Sequence, residues 1–270
     1  MDLGLTGKRA VVTGGGGAIC GAMATALAKE GAQVAIWDIS EEAAQNRARA
    51  IRESGGTARA VQCEAGDPDS VTKALERTVA ELGGVDILVN GAGGSRPEAT
   101  TGKDLDFFSI SRDAMRSVME LNFLTAVIPS QIVGRLFRDS GQGVIVNVAS
   151  IAGVRPLTKS VAYSTGKAAV ISFTQWLAVH MATEYSPRIR VNAIAPGFVL
   201  SDQNRFLLVD GQTGKPTPRG EQIIRSVPLG RLASSEDMTG ALLWLVSDQA
   251  SFVTGAVIPV DGGFTAFAGV

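Results

Sequence analysis

Short runs of aliphatic and β-branched residues alternate with longer stretches of helical periodicity from one end of the chain to the other. The runs centre on Ala10 to Thr13, Gln33 to Trp37, Ala58 to Gln62, Asp86 to Asn90, Val144 to Val148, Arg190 to Ile194 and Ala256 to Val260. Several are apolar without interruption, as strands covered on both faces require. Between them the pattern predicts helices over Glu41 to Glu53, Pro68 to Leu82, Tyr163 to Glu184 and Ser235 to Ser247. The last opens on SSED, read as a cap with acidic residues in the first turn. The alternation predicts an α/β fold: a single Rossmann-type doubly wound domain over 1–270, its seven-stranded parallel sheet flanked by helices.

One stretch breaks the rhythm. Phe198 to Ala233 carries Gly211, Gly214, Pro216, Pro218, Gly220 and Pro228, too long and too punctuated for an ordinary connection. It follows the sixth strand, and open α/β sheets bind ligands beyond the carboxyl ends of their strands, so a substrate lid over 198–233 is expected rather than an idle surface loop.

Composition narrows the partner. With 25 basic and 26 acidic residues in 270, the chain shows no electrostatic footprint for nucleic acid or an anionic membrane. Cys20 and Cys63 stand apart from any CxxC or Cys/His cluster, which argues against a disulfide framework or a metal site and suits a reducing cytoplasm. No signal-peptide layout opens the chain and no apolar run approaches a membrane span. A small-molecule partner is expected.

The first strand runs into TGGGGAICGA, Thr13 to Ala22, and then a helix. A turn of this kind brings backbone N–H groups and the helix dipole up to a pyrophosphate, which makes Gly14, Gly16, Gly17, Ala18 and Ile19 candidates for cofactor binding. Asp38 ends the second strand, where a carboxylate accepts hydrogen bonds from the adenosine ribose hydroxyls and repels a 2′-phosphate, so NAD is expected over NADP. In YSTGK, Lys167 lies four residues after Tyr163 and on the same helix face. A phenol of pKa about 10 is a weak base at neutral pH, and a neighbouring cation would bring it closer to working range. Ser150, at the end of the strand VIVNVAS, is placed to orient the same substrate oxygen.

These motifs together resemble a short-chain dehydrogenase/reductase, and the resemblance covers nearly the whole chain. It implies a catalytic set of Asn122 in MELNFLT, Ser150, Tyr163 and Lys167: Tyr163 as general acid/base, Lys167 also on the nicotinamide ribose, Ser150 on the substrate oxygen, and Asn122 supporting a proton relay through water. It implies further cofactor contacts at Glu64 and Ala65 on the adenine side, at NGAG (Asn90, Gly91, Ala92 and Gly93), and at the carboxamide-side turn with Pro196, Gly197, Val199 and Ser201. Ala18 and Cys20 replace two of the family's usual glycines, and Ser201 its usual threonine. It also implies a homotetramer, with Phe264 and Phe267 near neighbouring subunits.

PLTKSVAYSTGKAA, FTQWLAVH, APGFVLSDQNR, GALLWLVSD and VIPVDGGFTAFAGV are similar to the D-mannonate oxidoreductases of this superfamily, which implies interconversion of D-mannonate and D-fructuronate with NAD. The alternatives are another keto-sugar, a polyol or a 3-oxoacyl thioester as substrate, or a non-catalytic NAD sensor. A sugar acid needs a cation for its carboxylate. Arg205 is the candidate at the start of the proposed lid, with Gln203 and Asn204 for hydroxyls, and Arg155 and Lys159 stand on the other rim. His180, the only histidine, lies 17 residues past Tyr163, about 25 Å along one helix, so with Trp176 it is expected to serve packing or a subunit contact.

Overall fold

A computed structural model describes residues 2–269, the side chains of Asp202 and Gln203 lying outside what is described. Its strands are β1 (Arg9–Thr13), β2 (Gln33–Asp38), β3 (Thr57–Gln62), β4 (Ile87–Asn90), β5 (Gly143–Val148), β6 (Ile189–Pro196) and β7 (Val257–Val260). The α-helices are α1 (Ala18–Lys29), α2 (Glu41–Glu53), α3 (Pro68–Leu82), α4 (Arg112–Ser140), α5 (Ile151–Val154), α6 (Val161–Glu184), α7 (Asp202–Leu208), α8 (Pro218–Arg225) and α9 (Thr239–Val246). The strands form one seven-stranded sheet in the order β3-β2-β1-β4-β5-β6-β7, every pairing parallel.

Both faces of the sheet are covered. One apolar layer joins α1, α2 and α9 to residues such as Val12, Ile36 and Val146; the other joins α3, α4 and α6 to Val11, Trp37, Leu88 and Ile145. The residues of β6 are all buried, which is why that strand carries no alternation. The chain leaves β3 at one edge and re-enters as β4 beside β1, so the direction of winding reverses between β1 and β4. That switch point opens a crevice at the carboxyl ends of the strands.

The expected helix over Ser235 to Ser247 is divided into a 3₁₀ turn, Glu236–Met238, followed by α9. The SSED cap does not form. Asp237 instead accepts hydrogen bonds from Ser234 N and from the Arg231 guanidinium, and Ser235 makes no side-chain cap bond. The 198–233 stretch holds two helices, α7 and α8, rather than irregular chain alone. Among the described residues no helix is long and apolar enough to cross a membrane.

Candidate active site

A cleft of about 650 Å³ opens at the β1/β4 switch point. Gly14, Gly17, Ala18, Ile19 and Cys20 line one wall, Asp38 and Glu64 to Gly66 one end, and Gly91 to Gly93 the other wall, with Ser201 reaching it from beyond β6. Gly14 has φ +64°, and a Cβ there would stand 3.1 Å from the Ala92 backbone, so a side chain would be both strained and crowded. Gly17 caps α1 without a side-chain hydrogen bond, leaving the first amides of that helix directed at the cleft. Asp38 is held by both oxygens, Oδ2 accepting from Gly16 N at 3.0 Å and Oδ1 from Ser40 N at 3.0 Å. An anion-accepting helix start, a backbone wall with no room for side chains and a fixed carboxylate one strand away fit a dinucleotide with free ribose hydroxyls.

Cys20 explains how the glycine-rich turn departs from its family pattern. A Cβ built on Gly91 would meet the Cys20 sulfur, so the thiol occupies the space that glycine at 91 leaves open. Burial pushes the Cys20 thiol up to about 12, and it stays protonated at neutral pH. The loop after β4 is further fixed by Thr13 Oγ1, which accepts from Gly91 N at 2.9 Å and Ala92 N at 3.2 Å, and by Thr125 Oγ1, which donates to the Ala92 carbonyl. Neither threonine is predicted by the sequence motifs, because their partners are distant backbone groups.

Beyond β5, Ser150 caps α5 by accepting from Ala152 N, and its hydroxyl lies near enough to the Tyr163 phenol to influence its ionisation. Close packing makes this meeting possible: a Cβ on Gly153 would run into the Lys167 backbone, so α5 lies directly on α6. Burial raises the Tyr163 pKa, the neighbouring Ser150 hydroxyl opposing it. The expectation that Lys167 lowers it is corrected. The Lys167 ammonium is fully enclosed, donates to the Val148 carbonyl at 2.8 Å and stands 5.9 Å from the tyrosine ring centroid. Burial depresses that lysine to about 8. It lies just beneath Gly93, whose built Cβ would be 3.4 Å from Nζ, and so underlies the cleft without lining it.

Several expected contacts fall elsewhere. Asn122 uses its side chain on the chain itself: Nδ2 donates to the Gly94 and Val118 carbonyls, and Oδ1 accepts from Gly94 N, clamping the loop after β4 to α4. Asn90 turns away from the cleft into a buried network, donating to Asn147 Oδ1 and Ser130 Oγ, because β4 presents alternate faces of its residues. Gly16 serves the cleft only by orienting Asp38, and a Cβ there would strike Ala43. Pro196 and Gly197 lie at the end of β6, and Val199 is buried in the apolar layer; of that turn only Ser201 lines the cleft. Asn204 closes a capping box on α7, accepting from Ser201 N and donating to the Val199 carbonyl, so its amide is already engaged within the turn. Arg205 lines neither the cofactor cleft nor the cleft beside it, and the Gln203 side chain lies outside the described residues. Among the described residues no group of three or more His, Cys, Asp or Glu is placed to hold a metal ion.

The family described as enoyl-(acyl carrier protein) reductase matches residues 16–265. The chain is a short-chain dehydrogenase/reductase. It is 42% identical over 275 residues to the uncharacterized oxidoreductase UxuB of Bacillus subtilis strain 168, covering 98% of each chain. It is 38% identical over 257 residues to the cis-4-hydroxycyclohexanecarboxylate dehydrogenase of Sinomonas cyclohexanicum, covering 95% of this chain and 96% of that one. A crystal structure provisionally named D-mannonate oxidoreductase, from Haemophilus influenza and with NAD bound, superposes with a TM-score of 0.91 at 39% identity and 98% coverage of both chains. This dehydrogenase is thus an oxidoreductase by family.

Proposed function

We propose that this dehydrogenase interconverts the secondary alcohol and the ketone of a sugar acid, D-mannonate and D-fructuronate, using NAD. The observation that carries the reading is the packing of α5 on α6, which brings Ser150 to the Tyr163 phenol with Lys167 one helical turn on, beneath Gly93 of the cofactor-shaped cleft. NAD, when bound, supplies the hydride acceptor or its reduced form the donor. Ser150 holds the substrate oxygen and Tyr163 moves the proton at that oxygen. With its pKa raised, Tyr163 is protonated at neutral pH and is suited to donate to a ketone oxygen; the alcohol direction needs the phenolate and improves as pH rises. Asn122 acts by holding Gly94, and the 198–233 segment with α7 and α8 covers the substrate.

NAD rather than NADP is favoured by Asp38, whose carboxylate would face a 2′-phosphate. The sugar-acid reading draws on two of the similar proteins: one carries the name of a D-mannonate oxidoreductase, and the other that of a dehydrogenase for a hydroxylated carboxylate. Four chains assemble through the α4 and α6 face, where Trp176, Val179 and Tyr185 are exposed apolar residues that a second copy would cover.

Mixing the protein with NADH and D-fructuronate and following NADH absorbance tests the activity. Consumption of NADH, with the reverse reaction on D-mannonate and NAD, is expected. Turnover of neutral polyols without turnover of sugar acids overturns the substrate; NAD binding without turnover of any carbonyl compound leaves a sensor.

A further inference from the structure

Beside the cofactor cleft lies a second, open cleft of about 480 Å³, walled on one side by the loop from Arg155 to Ser160 and on the other by α8. Three cations converge on it: Arg155, Lys159 and Arg219. No acidic side chain lines it. Glu221, the acid on the same helix, is engaged with Arg225 at 3.2 Å, and Asp261 spends its oxygens on Gly263 N and Thr265. Among the described residues no ion-pair partner is present for Arg219 or Lys159. Arg155 is tethered, lying 5.8 Å over the Phe264 ring and donating to the Phe267 carbonyl.

Like charges gathered without a counter-charge repel one another, and Arg219 adds a second cost by standing in the first turn of α8, where the helix dipole disfavours a cation. An anion in the cleft offsets both. Its position relative to the chemistry is set by the turn after β6: Phe198 lines this cleft while Ser201, three residues on, lines the cofactor cleft. The opposite wall leads within three residues from Ser160 to Tyr163 on α6. The turn after β6 and the start of α6 therefore connect this cleft through the chain to the cofactor cleft and to Tyr163.

We infer that this cleft is the carboxylate subsite of the substrate, with Arg219 of α8 and Lys159 of the facing loop gripping the anion from opposite sides, and Gln222 one helical turn from Arg219 set for a hydroxyl. The inference rests on the proposed dehydrogenase reading and names the part of the molecule that selects acids over neutral alcohols. It moves that role from Arg205 to a residue that carries no motif signal.

The test compares Arg219→Gln, Lys159→Gln and the control Lys215→Gln, which lies just before the same helix and outside the cleft. Steady-state kcat/KM is measured for D-mannonate, cis-4-hydroxycyclohexanecarboxylate and the neutral polyol D-mannitol, alongside calorimetric NAD binding. The ratio of acid to polyol kcat/KM should fall about 10- to 50-fold in Arg219→Gln and less in Lys159→Gln, recover in part in Arg219→Lys, and stay at the wild-type value in Lys215→Gln. An unchanged ratio in Arg219→Gln, or an equal loss on acid and polyol, overturns the subsite while sugar-acid turnover by the parent protein stands. Selection of the cyclic hydroxy acid through Arg219 without turnover of D-mannonate retains the subsite and overturns the named substrate. If the parent protein neither binds nor oxidises any of these acids, both readings fail.

Discussion

At Tyr163 and Lys167 the same burial acts in opposite directions, keeping the phenol neutral and making the ammonium easier to deprotonate. Tyr163→Phe removes the transferable proton and leaves the packing, so kcat should fall about 10²- to 10⁴-fold with NAD affinity unchanged in a calorimetric titration. Residual activity near the parent level would remove Tyr163 from the chemistry. For Lys167 the consequence is read in stability. The unfolded lysine, at the ordinary 10.5, holds its proton between pH 8 and 10.5 while the folded one releases it at about 8. The burial penalty is therefore complete below pH 8 and is relieved as pH rises toward 10.5. Urea unfolding of the cofactor-free Lys167→Met variant and the parent, compared across pH, should show the parent gaining about 3 kcal/mol relative to the variant over that window. Cys63, pushed up to about 12, is present in each protein and cancels; the Lys167 charge draws the Cys20 thiol down, so losing it leaves that thiol still more firmly protonated, and Cys20 holds its proton in both folded proteins across this window. A pH-independent difference would mean that the ammonium is solvated.

At the scale of elements, the turn from β1 to α1 and the loop after β4 form one object. Cys20 on the helix fills the space beside Gly91 on the loop. Restoring glycine with Cys20→Gly removes a buried side chain and adds backbone freedom in the first turn of α1, costing about 1–3 kcal/mol. Thermal unfolding should show the loss, and NAD affinity should stay within about twofold because the amides of Ala18 and Ile19 remain. A tenfold gain in NAD affinity would instead mean that the thiol obstructs the pyrophosphate. Asp38 belongs to the same assembly, since Gly16 and Ser40 orient it. Asp38→Ser should narrow the NAD preference over NADP about 10- to 100-fold in the ratio of kcat/KM, the scale of a charged hydrogen bond. A parent protein that already prefers NADP would refute the cofactor reading.

At the scale of the molecule, the α4 and α6 side leaves the large apolar side chains of Trp176 and Val179 exposed. His180 stacks on Trp176 at 4.7 Å and meets Tyr185 edge-on, making an aromatic cluster whose outer members remain exposed. Light scattering should return a tetramer for the parent, and Trp176→Glu, which places a charge in that face, should yield smaller species. A parent monomer would show that the cluster serves packing within one chain.

Much of this was legible in the order of residues, for a local reason. Both-face burial makes parallel strands read as unbroken apolar runs, and the helix period places Lys167 one turn from Tyr163, so the fold, the sheet and the nearness of these two side chains follow from spacing alone. Side-chain direction does not. Asn90 and Asn122 sit in recognisable motifs, yet their amides bind neighbouring backbone and side chains rather than the cleft. The SSED run has the composition of a cap, but Arg231 draws Asp237 into a different set of bonds. Arg205 follows the carboxamide-side turn in sequence, whereas Arg219, fourteen positions later, is the arginine that α8 carries to the wall facing Lys159. Local period determines which elements form and which residues share a face; which polar groups meet across elements depends on packing distances that only the assembled sheet and its helices set.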